Sequence, residues 1–197
     1  MKRRLFAAAA LLAALSGGCY PNRLDSVDYD MVVSIHDSTA TFAATTYSLR
    51  DTVIHLVAPG EGDQISRLLD PVILATIRTN MNGRGYTEIT GAGAEDIADL
   101  RLAASVSTNE YTAYYWDYWC GIYWYGCYYP PYYGSYTYTT GSLFLTMQDR
   151  RAPVGGDFPL IWLNIGNGLL GTGANAVRVT DAINTMFLQS PYVDATP

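Results

Sequence analysis

Cysteine and histidine, two residue types that commonly do chemistry, are rare in this sequence. There are three cysteines and two histidines in 197 residues. Cys120 and Cys127 are separated by six residues, a spacing that does not suit a usual zinc knuckle, and no further ligands lie nearby. In an oxidising compartment an even pair of cysteines favours a disulfide. We predict a Cys120–Cys127 disulfide, with a two-cysteine metal site as the alternative, and no cofactor.

The third cysteine, Cys19, directly follows a segment with the order of a secretory signal. Lys2, Arg3 and Arg4 are positive, residues 5–15 are apolar, and residues 16–18 are small. The apolar run has about 11 residues, whereas a membrane-spanning helix needs about 20. We predict that residues 1–18 are a signal peptide that is cleaved.

Which peptidase cleaves it determines the fate of Cys19. A cysteine after small residues resembles the bacterial lipobox, in which the thiol is acylated before cleavage. Ser16 stands where that pattern has a large aliphatic residue, and Ser16 with Gly18 also suits the ordinary signal peptidase. That alternative releases a soluble periplasmic protein. We predict lipidation of Cys19, since a cysteine there otherwise has no role, with residues 19–28 as a tether.

Tyr20 follows Cys19 in place of the aspartate that retains enteric lipoproteins at the inner membrane. The expected location is therefore the bacterial outer membrane, facing the periplasm. Lys2 is the only lysine, so cleavage leaves nine arginines against 18 acidic residues, a net charge near −9. This balance argues against nucleic-acid binding and against electrostatic attraction to an anionic membrane. Membrane attachment would then depend on the acyl chains.

The most unusual stretch is residues 111–138, which we call the aromatic segment. It holds 12 of the 17 tyrosines and three of the four tryptophans. A buried phenol without a partner costs about 1–3 kcal/mol, which argues against a core role for 12 of them. Three interpretations remain: a hairpin or loop packed on the sheet, a surface for a protein or glycan, and contact with lipid headgroups. The candidate contact residues are Tyr115, Trp116, Trp119, Tyr123, Trp124 and Tyr128.

The histidines and the glycine-rich stretch give weaker signals. His36 and His55 lie near the ends of predicted strands, without a G-x-S-x-G or an H-E-x-x-H pattern. We interpret both as ordinary strand-end residues rather than as a catalytic base or metal ligands. A group of glycines precedes a helix but lacks the P-loop lysine, so it predicts a turn rather than a phosphate site: Gly166, Gly168, Gly171 and Gly173.

Hydrophobic periodicity predicts a single α+β domain over residues 29–190, followed by a tail at 191–197. Asp70 and Pro71 are typical of an N-cap and a first helical residue, and a kinked helix from Ile65 is the alternative. The order β-β-α-β-β-β-α favours a largely antiparallel sheet with two helices on one face and a long Tyr-rich hairpin or loop. The predicted strands are 29–36, 41–49, 97–107, 136–148 and 160–165, with a hairpin connection at 149–157, and the helices are 70–81 and 175–188.

Several of these segments together resemble the bacterial lipoproteins grouped as domain of unknown function 4136. The likeness is carried by DSTATFAATTYSLRD, NMNGRGYTEI, DIADLRLAASV, and GSLFLTMQD followed by PLIWLNIGNGLLG. The resemblance implies an envelope lipoprotein, and it supplies no catalytic residues.

The sequence therefore predicts a non-catalytic envelope lipoprotein that acts in envelope maintenance or assembly. Its expected partners are the membrane, through the lipid anchor, and another envelope protein or a polysaccharide, through the aromatic segment. The alternative is a hydrolase of envelope polymers. That activity needs clustered carboxylates in a cleft or a nucleophile with a base, and the sequence displays neither pattern.

Overall fold

The described part of the chain contains nine strands and three helices. The computed structural model describes residues 32–57, 60, 62–63, 65–107, 111–114, 135–138, 141–153, 156–171 and 173–195, with the backbone only at 111–114 and 135–138. The strands are β1 Val32–His36, β2 Thr46–Leu49, β3 Ile54–Leu56, β4 Thr87–Glu88, β5 Leu100–Ser107, β6 Tyr111–Tyr114, β7 Ser135–Tyr138, β8 Ser142–Asp149 and β9 Leu160–Gly166. The helices are α1 Asp70–Gly83, α2 Ala94–Ile97 and α3 Ala176–Leu188.

The two longest strands, β5 and β8, form the centre of a seven-stranded open sheet with the order β1-β9-β8-β5-β2-β4, in which β3 also pairs with β5. The β5, β8, β9 and β1 neighbours are antiparallel, and β8 and β9 form the predicted hairpin. The short strands β2, β3 and β4 are added in parallel on the other side. The predicted α+β fold is confirmed, with a mixed sheet whose long strands are antiparallel.

One face of this sheet is covered by α1 and α3, as predicted. Alternate residues of β5 and β8 face the helices because successive side chains in a strand point to opposite faces. The helices contribute stripes at the expected spacing, and each such buried side chain stabilises the fold by about 1.5–3 kcal/mol. This core includes Leu102, Ala104, Val106, Leu143, Leu145, Met147, Ile73, Ile77, Met81, Val179, Ile183 and Met186.

The opposite face of the sheet carries a smaller apolar cluster together with buried polar residues such as Ser105, Thr146 and Gln148. Phe144, Leu163 and Ile165 form a second cluster, against which Val33 and Ile35 pack. No residue of a described helix belongs to it. In β9, burial on both faces is matched by five apolar residues among seven, Leu160–Leu163 and Ile165, whereas β8 also buries the polar side chains of Thr146 and Gln148.

The start of α1 differs from the prediction. Asp70 is the first helical residue, and Leu69 occupies the N-cap position without a side-chain hydrogen bond. The N-cap assignment of Asp70 is therefore wrong, because its carboxylate faces a histidine ring instead of the helix amides. A 3-10 turn over residues 67–69, capped by Ser66, leads into the helix. Pro71 lies in the first turn, as expected.

Residues 136–148 form two strands instead of the single predicted one. Gly141 separates β7 from β8, with a φ of +82° that glycine adopts readily. A Cβ at this position would lie 2.5 Å from the Gly171 backbone nitrogen. The Gly141 amide donates to Ser107 and its carbonyl accepts from Leu170, at 2.7 and 2.8 Å. The interruption therefore joins the β5–β8 hairpin to the loop after β9.

The residues after α3, predicted as a tail, pack against the domain as far as they are described. Val193 is fully buried, and the guanidinium of Arg84 donates to its carbonyl at 2.7 Å. Arg84 also donates to the carbonyls of Phe187 and Ser190 near the end of α3. Terminal helix carbonyls lack partners within the helix, so one cation here links the end of α1 to the end of α3.

Gly141→Ala tests the close approach of Gly141 to the backbone of Gly171, and Gly173→Ala is the matched control. Both glycines have a φ near +80°, but nothing lies within 4 Å of a Cβ at Gly173. The left-handed conformation costs each alanine about 1–2 kcal/mol. The clash should cost Gly141→Ala about 1–3 kcal/mol more. Urea unfolding measures both variants, and equal losses would contradict the close approach.

Candidate functional site

The residues predicted to carry function lie outside the described part of the chain. This holds for Cys19, for Cys120 and Cys127, and for the six contact residues Tyr115, Trp116, Trp119, Tyr123, Trp124 and Tyr128. Lipidation, the disulfide and the aromatic contact surface therefore stay predictions. The structure does describe the backbone at both ends of the aromatic segment, as β6 and β7.

Strands β6 and β7 continue the alignment of β5 and β8. Ser107 lies opposite Ser142, and four residues further along each strand Tyr111 lies opposite Tyr138. No residue is gained or lost between the two ladders. They are two parts of one hairpin, separated by residues 108–110 and 139–141. Residues 115–134 are thus connected at both ends to the centre of the sheet.

A groove of about 540 Å³ opens at the other side of β5. The groove forms because β2 and β3 pair one after the other with the same edge of β5, and the chain bulges away from β5 between them. Leu49 and Ile54 are five positions apart in the sequence, whereas their partners Leu102 and Ser105 are three positions apart. The bulge, the end of β4 and the loop before α2 line the groove, with Ser48, Leu49, Arg50, Asp51, Arg78, Glu88, Ile89, Thr90, Gly91, Ala92, Ala94, Glu95 and Leu102.

Charged groups of both signs line this groove. The Nε of Arg78 donates to both carboxylate oxygens of Glu88, at 2.9 and 3.1 Å. Arg50 is exposed and has no side-chain partner among the described residues. Guanidinium groups recognise carboxylate and phosphate oxygens in a planar, bidentate manner. The carboxylates of Asp51, Glu88 and Glu95 lie in the same lining, so the groove presents charges of both signs to a polar ligand.

His55 forms a second polar cluster, between β3 and the start of α1. Its side chain is fully buried, with Nδ1 2.9 Å from an Asp63 oxygen and Nε2 3.2 Å from an Asp70 oxygen. An ionised carboxylate only accepts hydrogen bonds, so this arrangement is complete when both ring nitrogens carry hydrogen. Arg67 lies 3.0 Å from the same Asp63 oxygen. Neither ring nitrogen faces a hydroxyl that it could deprotonate.

His36, at the end of β1, makes aromatic rather than polar contacts. Its ring stacks on Tyr192 with centroids 3.9 Å apart, and Phe42 meets it edge-on at 6.4 Å. Within the described ranges, no group of three or more His, Cys, Asp and Glu residues could hold a metal ion. The glycines after β9 form the predicted turn, in which the Gly171 amide donates to Gly168 at 3.2 Å.

The groove and the His55 cluster were missed by sequence reasoning. Arg50, Arg78 and Glu88 come from three separate segments, and only the parallel addition of β2 and β4 brings them together. His55 and its carboxylates, Asp63 and Asp70, follow no known motif spacing. The one available signal was an apolar strand-like context around a histidine, which does not identify its partners.

These features define a class of protein: an α+β domain whose open sheet is covered by helices on one face and extended by a hairpin. The chain belongs to the family described as Domain of unknown function (DUF4136), whose model matches residues 32–192. The family resemblance predicted from the sequence is confirmed.

Two solved structures illustrate the similarity. A DUF4136 family protein from Bacteroides thetaiotaomicron VPI-5482 is 28% identical with a TM-score of 0.68, and the match covers 84% of this chain and 98% of that chain. PelC of Paraburkholderia phytofirmans, solved as a dodecamer, is 10% identical with a TM-score of 0.40, over 83% and 97% of the two chains. No curated protein matches the chain. In the part of the chain that the structure describes, no helix has the length and apolarity to cross a membrane.

The carboxylate of Asp63 couples the His55 cluster to pH. Burial opposes its ionisation, but hydrogen bonds from His55 and from the Ile65 amide, with the charges of His55 and Arg67, outweigh burial and lower the pKa of Asp63. A lowered pKa in the folded state means that the carboxylate contributes stability above its unfolded pKa of about 3.9. That contribution is lost as the pH falls through the lower folded value.

Asp63→Asn should therefore reduce the free energy of unfolding at pH 7, and the deficit should shrink as the pH falls below about 4. Asp51→Asn is the matched control, since the exposed Asp51 carboxylate has no hydrogen-bonding partner in the described ranges. It should leave the free energy at pH 7 nearly unchanged. Urea unfolding of the three proteins from pH 3 to 7 measures the difference. A deficit of Asp63→Asn that stays constant over this range would contradict the coupling.

Proposed function

We propose that this chain is a lipid-anchored protein of the cell envelope with a binding role in envelope maintenance or assembly. In this proposal the aromatic segment contacts another envelope protein or a polysaccharide. The observation that carries it is the shared register of the β5–β8 and β6–β7 ladders, which is the same on both sides of the interruption at Gly141. That alignment connects the most aromatic part of the chain to the most extensive pairing in the sheet.

The β5–β8 ladder at the base of the hairpin supports a binding role for an energetic reason. A contact surface loses less entropy on binding when its base is already fixed by the fold. The β5–β8 ladder provides such a base, since every residue of β8 and all but one of β5 are buried. Tyrosine and tryptophan then offer large amphipathic areas that pack on a protein or stack on the apolar faces of sugar rings.

The groove agrees with a binding role. Its Glu88 carboxylate is already engaged by Arg78, and its two guanidinium sources can hold acidic groups of a partner. A hydrolase of envelope polymers would instead need two carboxylates with different tasks facing one ligand, or an activated nucleophile. The groove lining does bring three carboxylates together, those of Asp51, Glu88 and Glu95, of which Glu88 is engaged by Arg78.

The proposed anchor is Cys19, acylated after export under the signal at residues 1–18. The support for it is the order of charged, apolar and small residues before this cysteine. The remaining pair, Cys120 and Cys127, is then proposed to form a disulfide within the aromatic segment. Closing so short a loop stabilises the native state by about 2–3 kcal/mol in the loop-entropy treatment. The outer membrane, on its periplasmic side, is the proposed location.

Metabolic labelling with a clickable palmitate tests the anchor. The wild type should be labelled and should fractionate with membranes, because acyl chains supply the only proposed attachment. Cys19→Ala should lose both properties. Cys120→Ser is the matched control and should keep them, since it removes a thiol of the same chain away from the lipobox. Equal labelling of Cys19→Ala and wild type would refute lipidation at this residue.

Replacing the six candidate contact residues by serine tests the role of the aromatic segment. The substitutions should abolish binding to the envelope protein or purified envelope polysaccharide that the wild type retains. Leu188→Ser, at an exposed site near the end of α3 away from the hairpin and the groove, serves as the control and should keep that binding. Alkylation without reductant, which should leave Cys120 and Cys127 unmodified in both proteins, checks the disulfide. An unchanged set of partners after the aromatic substitutions would contradict the proposed contact.

A further inference from the structure

One row of residues crosses the sheet and marks one of its ends. Val32 lies opposite Gly166, Gly166 opposite Leu143, Leu143 opposite Val106, and Val106 opposite His55. The chain enters β1 at Val32, so residues 1–31 join the domain at this end. We call it the tether end, and include the first turns of α1 and α3, which begin there.

The two central strands that flank the aromatic segment in the sequence reach the same end. Strand β5 runs toward the row and ends at Ser107, and β8 begins beside it at Ser142. Neighbouring strands are about 4.8 Å apart, so β1 and β5 are separated by about 15 Å. The 12 residues between Cys19 and Val32 span at most about 45 Å when fully extended. An acyl anchor on Cys19 would therefore keep both the tether end and the base of the hairpin near the membrane.

The distribution of charge distinguishes the two ends of the domain. The sequence from Phe158 to Val177, which includes the whole connection between β9 and α3, contains no charged residue. The carboxylates of Asp63 and Asp70 at the tether end are paired with His55 and Arg67. Within the described ranges the opposite end carries more carboxylates, of Asp37, Glu95, Asp96, Asp99, Asp149 and Asp157, of which Asp96 and Asp149 are paired with Arg101 and Arg151. An anionic lipid surface would repel that end more strongly.

Exposed apolar side chains occur at both ends. Leu68 and Val177 are 86% and 71% exposed at the tether end, beside the first turns of α1 and α3. Ile97 and Leu188 are 71% and 78% exposed at the opposite end. Exposure alone therefore does not choose between the ends. The uncharged sequence that leads to Val177 and the position of the tether do.

We infer that the tether end is a membrane-contacting surface, with Leu68 and Val177 at the level of the lipid headgroups and the acidic end turned away. This inference rests on the proposed Cys19 anchor. It also deepens the proposed function, because β5 ends and β8 begins at this same end, on either side of the aromatic segment in the sequence.

The absence of lysine after residue 18 allows a direct test. Val177→Lys and Leu188→Lys each introduce a single lysine at an exposed site of α3, about 17 Å apart along the helix. The purified lipidated proteins are labelled with an amine-reactive fluorophore and incorporated into phosphatidylethanolamine–phosphatidylglycerol vesicles that carry a headgroup quencher. The unsubstituted protein, labelled in parallel, accounts for any reaction at the amino terminus.

Quenching should be several-fold stronger for Val177→Lys than for Leu188→Lys. Equal quenching, or stronger quenching of Leu188→Lys, overturns the proposed orientation. If the protein still floats with the vesicles in that case, the anchor itself holds. Cys19→Ala in each background should abolish flotation and quenching. Flotation that survives Cys19→Ala, or an intact protein that does not float, overturns the anchor and with it the inference. Both substituted sites are exposed, so the fold tolerates them, and circular dichroism verifies this.

Discussion

The pairing of β5 with β8 is the constraint on which the rest of the structure depends. Eight consecutive residue pairs join these strands, from Leu100 with Asp149 to Ser107 with Ser142. All other strands of the main sheet are added to one side of this pair or the other. Because a shift by one residue would turn every side chain to the opposite face, the register also determines which residues meet α1 and α3.

Departures from this regular ladder coincide with the features of functional interest. The bulge between β2 and β3 moves the backbone away from β5 and opens the groove beside Arg50. The interruption at Gly141 separates the hairpin stem from the sheet and brings its base against Leu170 and Gly171. Irregular backbone at sheet edges commonly re-aims side chains or ends a pairing, and both effects occur here.

The sequence predicted the long elements well because their periods are readable. The stripe of Ile73, Ile77 and Met81 located α1 within two residues of its ends, and the alternation from Leu100 to Val106 located β5. The elements β3, β4 and α2 have two to four residues, too few to establish a period. Strand direction was also not readable, since parallel and antiparallel strands share the same alternation. The groove and the Asp63–His55–Asp70 cluster depend on those short parallel strands, so neither could be predicted.

The meeting of tether and hairpin at one end of the sheet follows from strand direction alone. Strand β8 leads away from that end, antiparallel β9 returns to it, and β1, antiparallel to β9, leads away again. Two antiparallel steps thus give β1 the direction of β8, and the residues before both strands lie at the same end. One strand more or fewer between β8 and β1 would place them at opposite ends. The topology therefore couples the location of any anchor before β1 to the location of the aromatic segment, whichever partner that segment contacts.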